Sequence, residues 1–186
     1  MQYICERLDR ATREKMLADI DDTALNTVLK TELYPYQREG IRAAFRAGRV
    51  IIADEMGLGK TVQALGTAEL LKDKGFVGGV LIVCPTSLKY QWKREIERFT
   101  GSSVLVIEGN HLKRAKMYGA PEFYKIVSYH AMSNDIKQLG KLETDMLIMD
   151  EVQRLKNWNT QISKAARKIE SQYAVMLSGT PLENRI

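Results

Sequence analysis

The segment between Val50 and Thr61 limits the possible folds of this chain more than any other. An apolar run, Val50-Ile51-Ile52-Ala53, leads into Asp54-Glu55-Met56-Gly57-Leu58-Gly59-Lys60-Thr61 and then into helix-prone sequence over residues 62–72. Strand, glycine turn and helix start in that order predict backbone N–H groups converging at the positive end of a helix dipole, with the Lys60 ammonium beside them. That arrangement suits a polyphosphate. Lys60 would reach the β and γ phosphates, and the Thr61 hydroxyl would ligate a magnesium ion bridging the same oxygens. Gly57, Leu58, Gly59, Lys60 and Thr61 are therefore expected to bind ATP or GTP. The strict phosphate-loop pattern G-x-x-x-x-G-K-[ST] has glycine where this chain has Asp54. A glycine turn that only starts a helix is the alternative.

A second motif weighs against that alternative. Met146-Leu147-Ile148-Met149 reads as another buried strand, and it ends in two adjacent carboxylates, Asp150 and Glu151, where the chain would leave the edge of a sheet. In an enzyme that hydrolyses a nucleoside triphosphate, the first holds magnesium and the second orients or deprotonates the water that attacks the γ-phosphate. A solvated turn is the other reading of an Asp-Glu pair after a strand. Taken with the Gly-Lys-Thr turn, Asp150 is expected as a magnesium ligand beside Thr61, and Lys60, Asp150 and Glu151 as the catalytic set.

At 186 residues and 45% hydrophobic, the chain suffices for one well-buried core, and a single domain is expected. Its two cysteines, Cys5 and Cys84, suggest neither a disulfide framework nor a zinc site and fit a reducing compartment. No apolar run approaches the roughly 20 residues needed to cross a bilayer, so an intracellular protein without membrane contact is expected. The net charge is +5, and residues 85–117 carry seven Lys or Arg against three Glu. Such a cluster suggests a polyanion, with nucleic acid the usual candidate, and a solvated basic helix face is the alternative.

Along the chain, residues 1–30 are mixed in charge and predict one or two short helices leading into the domain. From Pro35 the pattern alternates. Helices are predicted to about residue 47, after Lys60, over 87–99 and after His111; strands are predicted near 49–53 and over 79–84, 103–107, 124–128, 145–150 and 174–178. Helices alternating with apolar strands imply an α/β fold, a parallel sheet covered by helices on both faces, with ligands at the carboxyl ends of its strands.

Three further motifs fall at those ends or beside them. In Leu33-Tyr34-Pro35-Tyr36-Gln37, Gln37 lies 23 residues before Lys60, and its amide matches the donor and acceptor edge of adenine. A helix-starting proline followed by an exposed polar residue is the other reading. Pro85-Thr86-Ser87-Leu88 offers hydroxyls and amides to an anion, with Lys89, Trp92 and Lys93 near, or else a serine cap for the next helix. Leu177-Ser178-Gly179-Thr180-Pro181-Leu182-Glu183-Asn184 again follows a strand, and its hydroxyls could sense a γ-phosphate; a plain turn is the alternative.

Together these segments resemble the Swi/Snf family of DNA-dependent ATPases in helicase superfamily two, over roughly residues 33–184. In that family the phosphate loop takes the form seen at residues 54–61, which accounts for Asp54. Asp150-Glu151-Val152-Gln153-Arg154-Leu155-Lys156-Asn157 resembles its magnesium motif, and Tyr129-His130 a further motif on the nucleic-acid side. The resemblance implies a RecA-like lobe over residues 31–186, the first half of a two-lobe motor that burns ATP to move along double-stranded DNA and remodel bound proteins. By the same resemblance Gln37 would contact adenine, Thr86, Ser87 and Lys89 would bind DNA, and Gln153, Ser178 and Thr180 would couple hydrolysis to movement. ATP and Mg2+ are the implied cofactors, and duplex DNA and a second RecA-like lobe the implied partners. The second lobe would supply an arginine worth on the order of 10³ to 10⁵ in rate in related phosphoryl-transfer enzymes, so this chain by itself is expected to be weakly active or inactive. The implied location is the cytoplasm at the nucleoid, or the nucleus. Gln153 stands where many members have histidine. A strand-separating helicase, a restriction-type motor and a nucleotide-regulated interaction module without turnover are the alternative functions.

Overall fold

The computed structural model describes residues 22–53, 57–139, 144–155 and 160–179. Its centre is a sheet of six strands in the order β1-β6-β5-β2-β4-β3, with every neighbouring pair parallel. The strands are β1 (Arg49–Ile52), β2 (Val80–Cys84), β3 (Val104–Val106), β4 (Tyr124–Ser128), β5 (Thr144–Met149) and β6 (Ser171–Leu177). Parallel neighbours need crossovers, and helices supply them. These are α1 (Asp22–Val28), α2 (Pro35–Ala47), α3 (Lys60–Asp73), α4 (Lys89–Phe99), α5 (His111–Tyr118), α6 (Tyr129–Asn134), α7 (Ile136–Leu139) and α8 (Gln161–Ala166).

All five residues of β2 are buried, as a strand covered on both faces requires. Successive side chains point to opposite faces. Val80, Ile82 and Cys84 accordingly join one core with Tyr124, Ile126, Met146, Ile148, Tyr173 and Val175, while Leu81 and Val83 join a second with Val127, Leu147 and Met149. The first core is closed by residues of α1 to α4, including Leu25, Phe45, Leu65 and Trp92, and the second by Tyr118, Met132, Leu139 and Ala165 of α5 to α8. Leu25 and Leu29 are buried in the first core. Burying a leucine contributes about 2 kcal/mol, so the segment just before residue 30 is fastened to the sheet's own covering. Residues 1–21, which hold the rest of the expected lead-in and Cys5, lie outside the described residues.

The crossing of α2 over α3 is tight. A Cβ at Gly66 would lie 2.4 Å from Ile41 Cδ1, so glycine there lets the helix behind the glycine turn approach its neighbour. The predicted elements are present, with three differences. The strand expected over 174–178 begins at Ser171, because Ser171 and Tyr173 pair in register with Thr144 and Met146 although Ser171 and Gln172 carry no apolar signal. The helix expected over 87–99 is a 3₁₀ turn, Thr86–Leu88, followed by α4. Helices α6, α7 and α8, of six, four and six residues, had no counterpart in the sequence reading. Among the described residues no helix is long and apolar enough to cross a membrane.

Candidate active site

Register places the candidate residues on one edge. Ile52 is level with Leu177, Met149 with Met176 and with Val83, and Cys84 with Ser128. The residues that follow those positions are therefore brought together: the glycine turn, Ser178, Asp150, Pro85 with Thr86, and Tyr129. Two ladder bonds extend this edge, Ser178 N–H to the Ile52 carbonyl at 3.0 Å and Asp150 N–H to the Val83 carbonyl at 2.9 Å.

At the glycine turn, Gly57 and Gly59 have φ of 89° and 74°. Gly59 is the residue before α3, and no side chain caps that 14-residue helix. Its opening N–H groups point out of the helix, where an anion is favoured by the dipole. Gln37 belongs to this turn. It is only 5% exposed, so it is not a solvated polar residue. Its Oε1 accepts the Tyr34 N–H at 3.1 Å, and a Cβ at Gly59 would meet its Nε2 at 2.3 Å. The same helix start reaches the turn again through the Tyr36 hydroxyl, which donates to the Leu58 carbonyl at 3.2 Å. Tyr34 and Tyr36 stack with centroids 5.9 Å apart and stand exposed, offering a flat face to a planar ligand.

Asp150 and Glu151 are held differently. Asp150 Oδ2 accepts the Trp92 indole N–H at 2.9 Å, its Oδ1 accepts the Glu151 amide at 2.8 Å, and its carbonyl accepts the Tyr129 hydroxyl at 2.6 Å. Burial raises its pKa above the ordinary carboxylate range; the Trp92 and Glu151 hydrogen bonds oppose that rise, the Glu151 charge adds to it and the Lys60 charge opposes it. A positive group near a partly desolvated carboxylate fits the chemistry of a triphosphate–magnesium site. Glu151 has φ of 56°, the one positive value for a non-glycine among the described residues. Such backbone strain persists where surroundings over-determine it. Here Glu151 Oε2 accepts from the Gln153 amide, whose Oε1 in turn accepts the Ser178 hydroxyl at 3.2 Å. Ser178 is fully buried. The expected coupling residues Gln153 and Ser178 thus touch each other, and Gln153 touches the second carboxylate. Thr180, Asp54 to Met56, and Lys156 with Asn157 lie outside the described residues.

Of the expected DNA contacts, Thr86 and Ser87 are exposed in the 3₁₀ turn, and neither caps α4. Lys89 is buried, with its ammonium 3.2 Å from Glu108 Oε2. The Tyr90 hydroxyl donates to the same oxygen at 2.9 Å. Three contacts went unread in the sequence: Trp92 on Asp150, Tyr129 on the Asp150 carbonyl and Tyr36 on Leu58. Trp92 carried one usable signal. It shares a helix face with Lys89 and Ile96, and a buried indole N–H needs an acceptor.

Comparison with known proteins points the same way. The family model described as the SNF2-related domain matches residues 36–186. An uncharacterized ATP-dependent helicase of Mycoplasma genitalium is 30% identical over 97% of this chain and 18% of its own length. The human DNA repair and recombination protein RAD54B is 32% identical over 88% of this chain and 20% of its own. The Sulfolobus solfataricus SWI2/SNF2 ATPase core, solved in complex with dsDNA, superposes with a TM-score of 0.78 at 29% identity, covering 84% of this chain and 34% of that one. The chain spans about a fifth of the length of these two curated relatives. With the six-stranded parallel sheet of the SWI2/SNF2 core and a family match over most of its length, the chain has the RecA-like fold expected of it and belongs to the SNF2-related family.

Proposed function

We propose that residues 31–186 form the ATP-binding first lobe of a two-lobe, magnesium-dependent motor that moves along double-stranded DNA and remodels protein–DNA complexes, with residues 1–30 leading into it. The observation that carries this is the convergence of the uncapped α3 terminus, Gln37, and the Asp150–Glu151 pair at one edge of the sheet. The amides of the Gly57 to Thr61 turn and the Lys60 ammonium cradle the triphosphate. Gln37 braces that turn, and its remaining amide valences face the base.

The donor set fits magnesium: a hydroxyl and a carboxylate, both hard oxygen ligands, with both carboxylate oxygens already oriented by hydrogen bonds. Held by Thr61 and Asp150, magnesium would supply positive charge on the β and γ phosphate oxygens. Glu151 holds the attacking water and takes its proton, and Gln153 keeps its carboxylate in place. Through Gln153 and Ser178, and then Thr180, the state of that carboxylate reaches the end of β6. Thr86 and Ser87 meet the DNA backbone, and Lys89 adds charge there once released from Glu108. The partners are duplex DNA and a second RecA-like lobe whose arginine completes the site. The chain by itself then binds nucleotide weakly and turns it over little, and the motor works wherever the cell keeps its DNA, at the nucleoid or in the nucleus.

The test is Glu151→Gln in the protein carrying both lobes. It should keep ATP bound and lose hydrolysis; turnover equal to wild type removes Glu151 from the base role. Because several relatives are named helicases, a labelled duplex should be included. Remodelling without strand separation is expected, and unwinding would favour the helicase reading.

A further inference from the structure

The carboxylate of Asp150 is oriented from outside the phosphate loop. Its Oδ2 accepts the Trp92 indole N–H at 2.9 Å, and Trp92 is only 2% exposed, in the first core beneath α4. Its Oδ1 accepts the Glu151 amide at 2.8 Å. Each oxygen has one lone pair engaged and one left, so the plane of the carboxylate is set and its open side faces away from both donors. The backbone of Asp150 is fixed as well, by the Tyr129 hydroxyl at 2.6 Å. Trp92 lies on α4, directly after the exposed Thr86–Leu88 turn, and Tyr129 opens α6 directly after β4. Neither donor belongs to the nucleotide-binding helix.

We propose that Trp92 is a positioning residue for magnesium: its indole N–H holds the Asp150 carboxylate in the orientation that accepts the cation, and it ties that carboxylate to α4, the helix that follows the turn carrying Thr86 and Ser87. The inference rests on the reading of Asp150 as a magnesium ligand. Groups that orient a metal ligand typically change metal affinity by about 10- to 100-fold when removed, and the N–H to a carboxylate is a charge-assisted bond, the stronger kind. A displacement of α4 on binding a polyanion would reach Asp150 through this one bond. Trp92→Phe keeps an aromatic ring in the core and removes only the donor and part of the ring.

The experiment titrates magnesium against binding of a fluorescent ATP analogue to this chain, as wild type, Trp92→Phe and Asp150→Asn, with binding in EDTA as the magnesium-free reference. The expected result is a magnesium midpoint raised about tenfold in Trp92→Phe, with binding in EDTA unchanged, a split that loss of packing alone would not produce. A raised midpoint in Asp150→Asn together with a wild-type midpoint in Trp92→Phe overturns the inference and leaves the Asp150 reading standing. No shift in either variant removes both. Should Trp92→Phe fail to fold, the indole proton resonance of Trp92, assigned with the help of Trp158→Phe, gives the answer in the otherwise intact chain. It should move on adding magnesium with nucleotide, and in Asp150→Asn; a resonance that stays in place under both overturns the proposal.

Discussion

The glycine-turn region and the basic region around α4 and α5 both drew attention as anion sites, and the structure treats them differently. In the first, Gln37, Gly59, Lys60 and Asp150 are brought together by backbone register and by two glycines at positive φ. In the second, much of the positive charge is already answered. Lys89 pairs with Glu108, Lys93 with Glu97, and Arg114 with Asp135 through a bidentate contact at 2.6 and 2.7 Å. A motif that specifies backbone geometry therefore carries further than a count of charges, because the partners of a long basic side chain depend on the fold. Of these pairs, the exposed Lys93–Glu97 adds little stability and is screened by salt, whereas Arg114–Asp135 is largely buried. They do govern which lysines are available to a polyanion.

Lys60→Ala should separate the two regions most sharply. Losing the one ammonium at the turn should weaken binding of magnesium-ATP about 100-fold or more, with the melting temperature unchanged; isothermal titration measures the first and calorimetry the second. Binding within a few-fold of wild type would mean that the turn is not the phosphate cradle. Gly59→Ala probes the same region through the backbone. A Cβ at φ of 74° meets the Gln37 amide at 2.3 Å, and strain with displacement of Gln37 should cost about 2 kcal/mol or more in urea unfolding. A variant as stable as wild type would show that Gln37 does not pack against the turn.

Cys84 lies between the two regions, at the end of β2. Burial, and then the Asp150 charge, pushes its thiol up to about 12 from 9.0, with Lys89 opposing. The folded state thus keeps its proton where the unfolded state has lost it. That contribution is complete below pH 9 and is lost as pH rises toward 12, at up to about 1.4 kcal/mol per unit. Buried Tyr124 and Tyr118 add to the decline only above their ordinary value of 10.0. Between pH 9 and 10, unfolding free energy should fall more steeply in wild type than in Cys84→Ala; equal slopes would place the thiol in contact with solvent. The smallest effect belongs to the basic region. Glu108→Gln should free Lys89, tighten duplex binding two- to threefold and steepen the salt dependence by about 0.9 in log–log slope. An unchanged slope by fluorescence anisotropy would mean that Lys89 makes no phosphate contact.

What was legible in the sequence follows the same division. β2, β4 and β5 could be read because strands covered on both faces are written as continuous apolar runs, such as Val80 to Cys84. The start of β6 could not, since Ser171 and Gln172 are polar, and Ser171 is held by pairing with Thr144 and by the Arg49 guanidinium. Helices α6 and α8, at six residues, are too short to show a period, although their caps, Ser128 and Thr160, are visible once the helices are known. At the site, the glycine turn and the carboxylate pair are local in sequence, and so they were readable. The bond from Trp92 to Asp150 spans 58 positions, and that from Lys89 to Glu108 spans 19. Contacts at such separations exist only once the sheet has ordered its strands. For Gln37 the sequence left an adenine contact and an exposed polar residue open, and its burial against Gly59 removes the second.

The motor assignment is tested most directly by steady-state ATP hydrolysis of the protein carrying both lobes, without DNA, with single-stranded DNA and with duplex DNA, using Lys60→Ala as the blank. A double-stranded-DNA motor predicts strong stimulation by duplex. Nucleotide bound with no stimulation by either form of DNA would contradict it and would favour a nucleotide-regulated binding module.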